Sequence, residues 1–262
     1  MTDTRVQSNW FSRLAHPGVF LQWSRGWIKP LGLITFVLFA AGIYYAFFDS
    51  PADYQMGETV RIMYVHVPNA WLSQLVYGVM TIAALGTLVW RHPMADVSMK
   101  AAAPLGAAFT GVALFTGSLW GRPTWGTFWE WDGRMTSTLI LFLIYLGLVA
   151  LWRTFGDQAK GARIIAVFTL VGAINIPIIK FSVDWWNTLH QPASVFRAGG
   201  PRMPGEILTP LFVMMFAFTF LFVTLHIVAI RTEIFRRRAA SLERQHVSAR
   251  GRAASKVSGA AK

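Results

Sequence analysis

Six apolar runs, each close to twenty residues long, decide what this chain can become. They cover residues 31–48, 70–90, 101–119, 136–152, 162–179 and 208–230. A helix rises about 1.5 Å per residue, so a hydrocarbon layer ~30 Å thick takes roughly 20 residues. No water is present there to satisfy a backbone N–H or C=O, and a helix satisfies both within one segment. The predicted fold class is therefore an all-α integral membrane protein of six transmembrane helices. Composition agrees: 14% of residues are charged and mean hydropathy is +0.44, where soluble domains carry about 25% charge. The chain reads as one membrane domain over 1–262, with a basic segment at 1–30, the six-helix core at 31–230 and a polybasic tail at 231–262. The first run ends without a small-residue cleavage site, so it is expected to be a retained span rather than a signal peptide.

The net charge of +12 invites a nucleic-acid reading, but its placement points elsewhere. Nine of the 24 Lys/Arg follow Ile230, forming a juxtamembrane cluster without the aromatic interleaving of a nucleic-acid module. Loop by loop, 18 cations fall on the side of the two termini. Six (Arg61, Arg122, Arg134, Lys180, Arg197 and Arg202) fall on the other. The excess predicts that both termini are cytoplasmic. Three long segments, 49–69, 120–135 and 180–207, then face outward, and long connections are where function usually sits. Residues 1–30, with Trp10, Phe11, Phe20, Trp23 and Trp27, are expected to lie along the membrane surface.

Other features narrow the class. Cysteine is absent, so any metal contact falls to His, Met or carboxylates. No phosphate-binding loop or internal repeat appears. Gly106, Gly111 and Gly117 in span three suit close helix approach. Pro177, after Asn175, should kink span five near its outer end.

The outward segments hold the unusual residues. Four of twelve tryptophans, Trp120, Trp125, Trp129 and Trp131, lie within 120–131, interrupted by glycines, Arg122-Pro123 and Asp132-Gly133. Two readings fit: an oversized interfacial belt, or a shelf for a large, flat, apolar ligand. Asp132-Gly133 reads as a turn and Arg134 as an ion-pair partner, with no role assigned to Glu130. Of six histidines, His16, His92 and His246 read as solvated and His226 as a packing residue. His66, just before span two, and His190, just after span five, share the outer face. Each has a proline two residues on and tryptophan nearby. They either tether loops or supply the two imidazoles of a haem iron, with the tryptophans against the porphyrin. Arg122, Arg134, Arg197 and Arg202 are candidates for the propionates.

At these residues the chain resembles a known family. Residues 120–132, WGRPTWGTFWEWD, look like the tryptophan-rich "WWD" signature of haem-handling proteins. With His66 in VHVP, His190 in NTLHQP, six spans and this length, the chain resembles CcmC, the haem exporter protein C family of bacterial cytochrome c maturation. The likeness covers roughly residues 30–230 and leaves the basic C-terminal tail without a counterpart. It implies a multi-pass protein of the bacterial inner membrane, not an enzyme. Such a protein holds b-type haem as transient cargo at the periplasmic face and passes it to the haem chaperone CcmE. It works beside the ABC transporter CcmA/CcmB and the small subunit CcmD. By the same resemblance His66 and His190 are axial ligands, and Trp120, Trp125, Trp129, Trp131 and Asp132 belong to the haem platform. Two rivals stand beside this: a haem or solute permease subunit, and a haem-b electron carrier, which needs ligands within the bilayer on facing helices.

Overall fold

The computed structural model describes residues 16–155, 159–186, 188–190, 195, 199–201 and 203–260, the side chains of 250–260 excepted. Seven α-helices follow in order among them: α1 (Pro17–Tyr44), α2 (Met63–Val89), α3 (Pro93–Trp125), α4 (Gly133–Phe155), α5 (Ala159–Gly172), α6 (Asn175–Trp185) and α7 (Gly205–Ala260). A π-helical turn, Tyr45–Asp49, extends α1, and a 3₁₀ turn, Glu58–Ile62, leads into α2. Six stretches are long and apolar enough to cross a membrane, α5 and α6 together forming the fifth. No strand occurs among the described residues, only the isolated bridge between Asp53 and Gly57.

α2 and α3 form the central antiparallel pair, α1 lies along α7, and α4 and α5 close the other side. In the core, the Tyr145 hydroxyl donates to the Ser73 carbonyl at 2.8 Å and the Tyr77 hydroxyl to the Thr169 carbonyl at 3.0 Å. Their rings meet edge to face at 5.2 Å. Gly106 lies against the Tyr145 ring and Gly172 against the Tyr77 hydroxyl, leaving no room for a Cβ at either. Both phenols thus keep their polar ends satisfied in an apolar interior.

Several boundaries differ from the sequence reading. α1 begins at Pro17 and runs unbroken into the first apolar run, so residues 17–30 continue that helix and are not a separate element; Trp10 and Phe11 lie outside the described residues. His16 and His92, expected as solvated side chains, are helix caps. Each Nδ1 accepts a backbone N–H two residues on, from Gly18 at 3.1 Å and Met94 at 3.2 Å, ahead of a proline suited to a first turn. His226 packs as expected, stacked on Phe222 with Nε2 3.0 Å from the Ser98 hydroxyl. Span five does break before Pro177. With no N–H at Pro177, the Ala173 carbonyl takes the Ile176 N–H at 3.1 Å in a tighter turn. The Asn175 amide fastens the break to the Ser137 carbonyl at 2.8 Å.

At the end of the bundle where α1 begins, called the inner end for the orientation expected from charge, Glu233 is buried and accepts from Lys100, Arg236 and Arg237 at 3.0, 2.8 and 2.8 Å. Arg237 also reaches Asp96 at 2.8 Å. The basic residues here knit α7 to α3.

Candidate functional site

Two differences at the opposite end of the bundle, the outer end by the same expectation, build the site. α2 starts three residues before His66, so His66 is a helical residue and not part of a preceding loop. α3 runs on to Trp125, so Trp120, Arg122 and Trp125 are helical and the connection to α4 shortens to 126–132. Gly126, at φ 81°, ends α3 in the left-handed conformation that favours glycine.

The first-turn position puts His66 against α3. Its Nδ1 lies 3.0 Å from the Ala113 carbonyl and 3.2 Å from the Thr116 hydroxyl. A carbonyl only accepts, so Nδ1 carries the proton and Nε2 keeps its lone pair. The ring rests on Gly117, where a Cβ would stand 2.8 Å from its Cε1. Trp120, one turn further along α3, meets the imidazole edge to face at 5.7 Å.

His190 is oriented from the start of α4. Asp132 is buried and caps that helix: its Oδ1 accepts the Met135 N–H at 2.7 Å and its carbonyl accepts the Thr136 N–H at 3.1 Å. The expected Asp132-Gly133 turn is thus a helix start. The other oxygen, Oδ2, accepts the His190 Nδ1–H at 2.8 Å and the Thr188 hydroxyl. The Thr188 hydroxyl in turn accepts the His190 backbone N–H at 3.1 Å. Burial pushes the Asp132 carboxyl up, but the hydrogen bonds from Thr188, Met135 and His190 outweigh it and hold it below its ordinary value. Burial pushes His190 below its ordinary value, against the pull of Asp132. The pair is thus a neutral imidazole donating to a carboxylate, again with Nε2 uncommitted. Trp125 packs edge to face on His190 at 4.7 Å.

Both histidines line the same two adjoining cavities, of about 290 and 230 Å³. Trp120 and Trp125 wall the second with Met56, Met63 and Met203. Arg134 lines both. Expected as an ion-pair partner, it has no carboxylate in ion-pair reach among the described residues. Its NH2 donates to the Lys180 carbonyl at 3.4 Å, and its Nε is buried without a partner.

The structure therefore gathers His66, His190, Trp120, Trp125 and Arg134, with Asp132 acting through His190. Arg122 stands apart: it donates to the Gly126 carbonyl and lies 5.6 Å over the Phe128 ring. Trp129 and Trp131 pair edge to face at 5.4 Å on the rim, Trp131 being 73% exposed. Arg197 and Arg202 lie outside the described residues. Gly117 and Thr188 carried no sign of a site role in the sequence beyond the small-residue pattern of span three. The methionines come from two stretches far apart in the chain, Met56 and Met63 in one and Met203 in the other.

The sequence has close relatives among known proteins. A family model described as "Heme exporter protein C" matches residues 10–245. A "Heme exporter protein C" of Bradyrhizobium diazoefficiens is 63% identical over 235 residues, covering 90% of this chain and 89% of that protein. Proteins of the same name from Haemophilus influenzae and Escherichia coli are 45% and 43% identical, each aligned over 80% of this chain and over 86% and 84% of their own length.

Proposed function

The chain belongs to the haem exporter protein C family, and on that premise we propose that it holds haem at the periplasmic face of the inner membrane and delivers it to CcmE during c-type cytochrome maturation. The observation that carries the reading is the matched pair of imidazoles. Each has its Nδ1–H held by a fixed acceptor, Ala113 or Asp132, with Nε2 uncommitted, and both rings line the shared cavities. Iron takes neutral imidazole nitrogens, and an acceptor on the far nitrogen both orients the ring and raises its basicity.

The surroundings suit the cargo. The cavity walls are largely Trp, Met, Val and Leu, matching porphyrin faces, and Arg134 offers a buried N–H to a carboxylate. In the ion-pair role, Arg134 meets a propionate. Trp129 and Trp131, with Arg122 behind them, form the exposed rim where CcmE reaches the porphyrin edge. CcmA/CcmB and CcmD act beside this chain in the same membrane. Both termini lie in the cytoplasm, so the cluster around Glu233 faces inward. The chain performs no covalent step: it binds, excludes water and releases.

The test is an absorption spectrum of the protein purified with its co-expressed partners, for wild type, His66→Ala and His190→Ala. A low-spin bis-imidazole Soret band, lost or shifted in each variant, is expected. Undiminished haem delivery to CcmE with both histidines replaced overturns the ligand assignment.

A further inference from the structure

The two cavities that share His66 and His190 run in different directions. Span five is broken at Ala173 and Ile174. Its inner half, α5, packs on α2, whereas its outer half, α6, packs on α4 and meets α2 only slightly. The bonds from Asn175 to Ser137 and from Arg134 to the Lys180 carbonyl hold α6 on the α4 side. A cleft thus opens between α2 and α6 in the outer half of the bundle only.

The larger cavity fills this cleft. It runs from His66 and His190 down to Trp71, Gln74, Thr138 and Lys180. Trp71 is 46% exposed and Lys180 is exposed, and both sit a turn or more inside stretches long and apolar enough to cross a membrane, where an exposed side chain meets lipid, whereas Thr124 stands at the very end of its stretch. A lipid-facing lysine and a half-buried glutamine in a span are costly unless they meet a polar partner. Among the described residues no carboxylate lies within ion-pair reach of Lys180. The smaller cavity leads the other way, past Trp120 and Trp125 to exposed Thr124.

We infer that the cleft between α2 and α6 is a lateral portal, through which haem dissolved in the outer leaflet reaches His66 and His190. The inference rests on the haem-holding reading above. The chemistry fits a flat apolar molecule with carboxylates on one edge. Apolar walls accept its faces, and Lys180 at the mouth and Arg134 further in receive the carboxylates in turn. Loading from the bilayer leaves the tryptophan-lined mouth free for departure.

The chain contains no cysteine, so one introduced thiol makes a reversible plug. Gln74→Cys (lateral mouth) and Thr124→Cys (water-side mouth) are reconstituted in liposomes and capped with benzyl methanethiosulfonate. Haem is added to the bilayer and the rate of Soret change is followed, with a second sample uncapped by phosphine reductant before haem addition. Capping residue 74 is expected to slow loading at least tenfold, reversibly, with little slowing from capping 124. A membrane-dissolved maleimide should also outpace a membrane-impermeant one at 74, with the order reversed at 124. Equal loading rates with residue 74 capped and uncapped, or equal slowing from both caps, overturns the portal. An absent Soret change in the uncapped proteins overturns the haem reading itself.

Discussion

The two ends of this bundle hold similar residues and use them in opposite ways. At the inner end, Lys100, Arg236 and Arg237 converge on Glu233, Arg237 adds Asp96, and His16 and His92 spend Nδ1 on helix caps. At the outer end, Arg134 has a carbonyl but, among the described residues, no carboxylate in ion-pair reach, and two imidazoles leave Nε2 uncommitted. A cation matched by a buried carboxylate contributes to architecture. A half-buried cation or imidazole left without a carboxylate or with a free nitrogen beside a cavity fits the haem-holding reading proposed above. Charge alone does not separate the Glu233 cluster from Arg134; partners do.

Removing the inner carboxylate should have the largest effect. Glu233→Ala leaves three cations around a buried position, and breaking such a cluster costs about 3–5 kcal/mol. The expected result is a large drop in melting temperature in detergent. An unchanged melt means the inner network is not structural, and the comparison fails.

Outer-end changes should spare the melt and strike binding. Asp132→Asn keeps a good cap but loses the carboxylate that orients His190, so haem affinity should fall about 10–100-fold. Asp132→Ala also loses the cap, at roughly a further 1 kcal/mol of stability. Titration with haem beside a melting curve separates the two roles, and equal affinity in Asp132→Asn and wild type sinks the orienting one.

Gly117→Ala is a finer probe. The new Cβ would lie 2.8 Å from the His66 ring, so the imidazole must shift. A loss of affinity of about tenfold, ~1.4 kcal/mol, is expected, with the His190 environment untouched. Wild-type affinity would show that His66 is free to move and not held in place.

The smallest effect is in pH. His190 ligates only when neutral, and its folded pKa lies below the ordinary 6.5. Binding should therefore hold as pH falls to 6.5 and weaken only below it. The unfolded chain takes up a proton first, so this group also lowers stability as pH drops through the ordinary value. Asp132 pulls the His190 pKa upward, so Asp132→Asn should move the acid limb to lower pH. A shift to higher pH would contradict the hydrogen-bond pairing.

Much of this was legible beforehand. The six spans emerge because hydrocarbon forces every backbone group to pair locally, which leaves length and apolarity as sufficient signs. Six spans follow from residue order alone. His66, His190 and the tryptophan segment stood out because polar and aromatic residues cluster at the ends of apolar runs. Element ends were less legible. His66 was expected just ahead of its helix because Pro68 suits a first turn, and Trp120 and Trp125 in a connection because Pro123 and the neighbouring glycines interrupt the apolar run; each proline instead lies inside a helix.

What the sequence determined by itself is the class of protein and the short set of residues worth suspecting, because membrane solvation acts on local composition. Only the tertiary structure decided which of them work together. It set Gly117 under His66 and turned a suspected turn aspartate toward His190 from a helix start. It parted α6 from α2 and moved Arg122 and Trp131 away from the cavity. These relations join residues far apart in the chain, and such contacts are fixed by how helices pack, which no local pattern encodes.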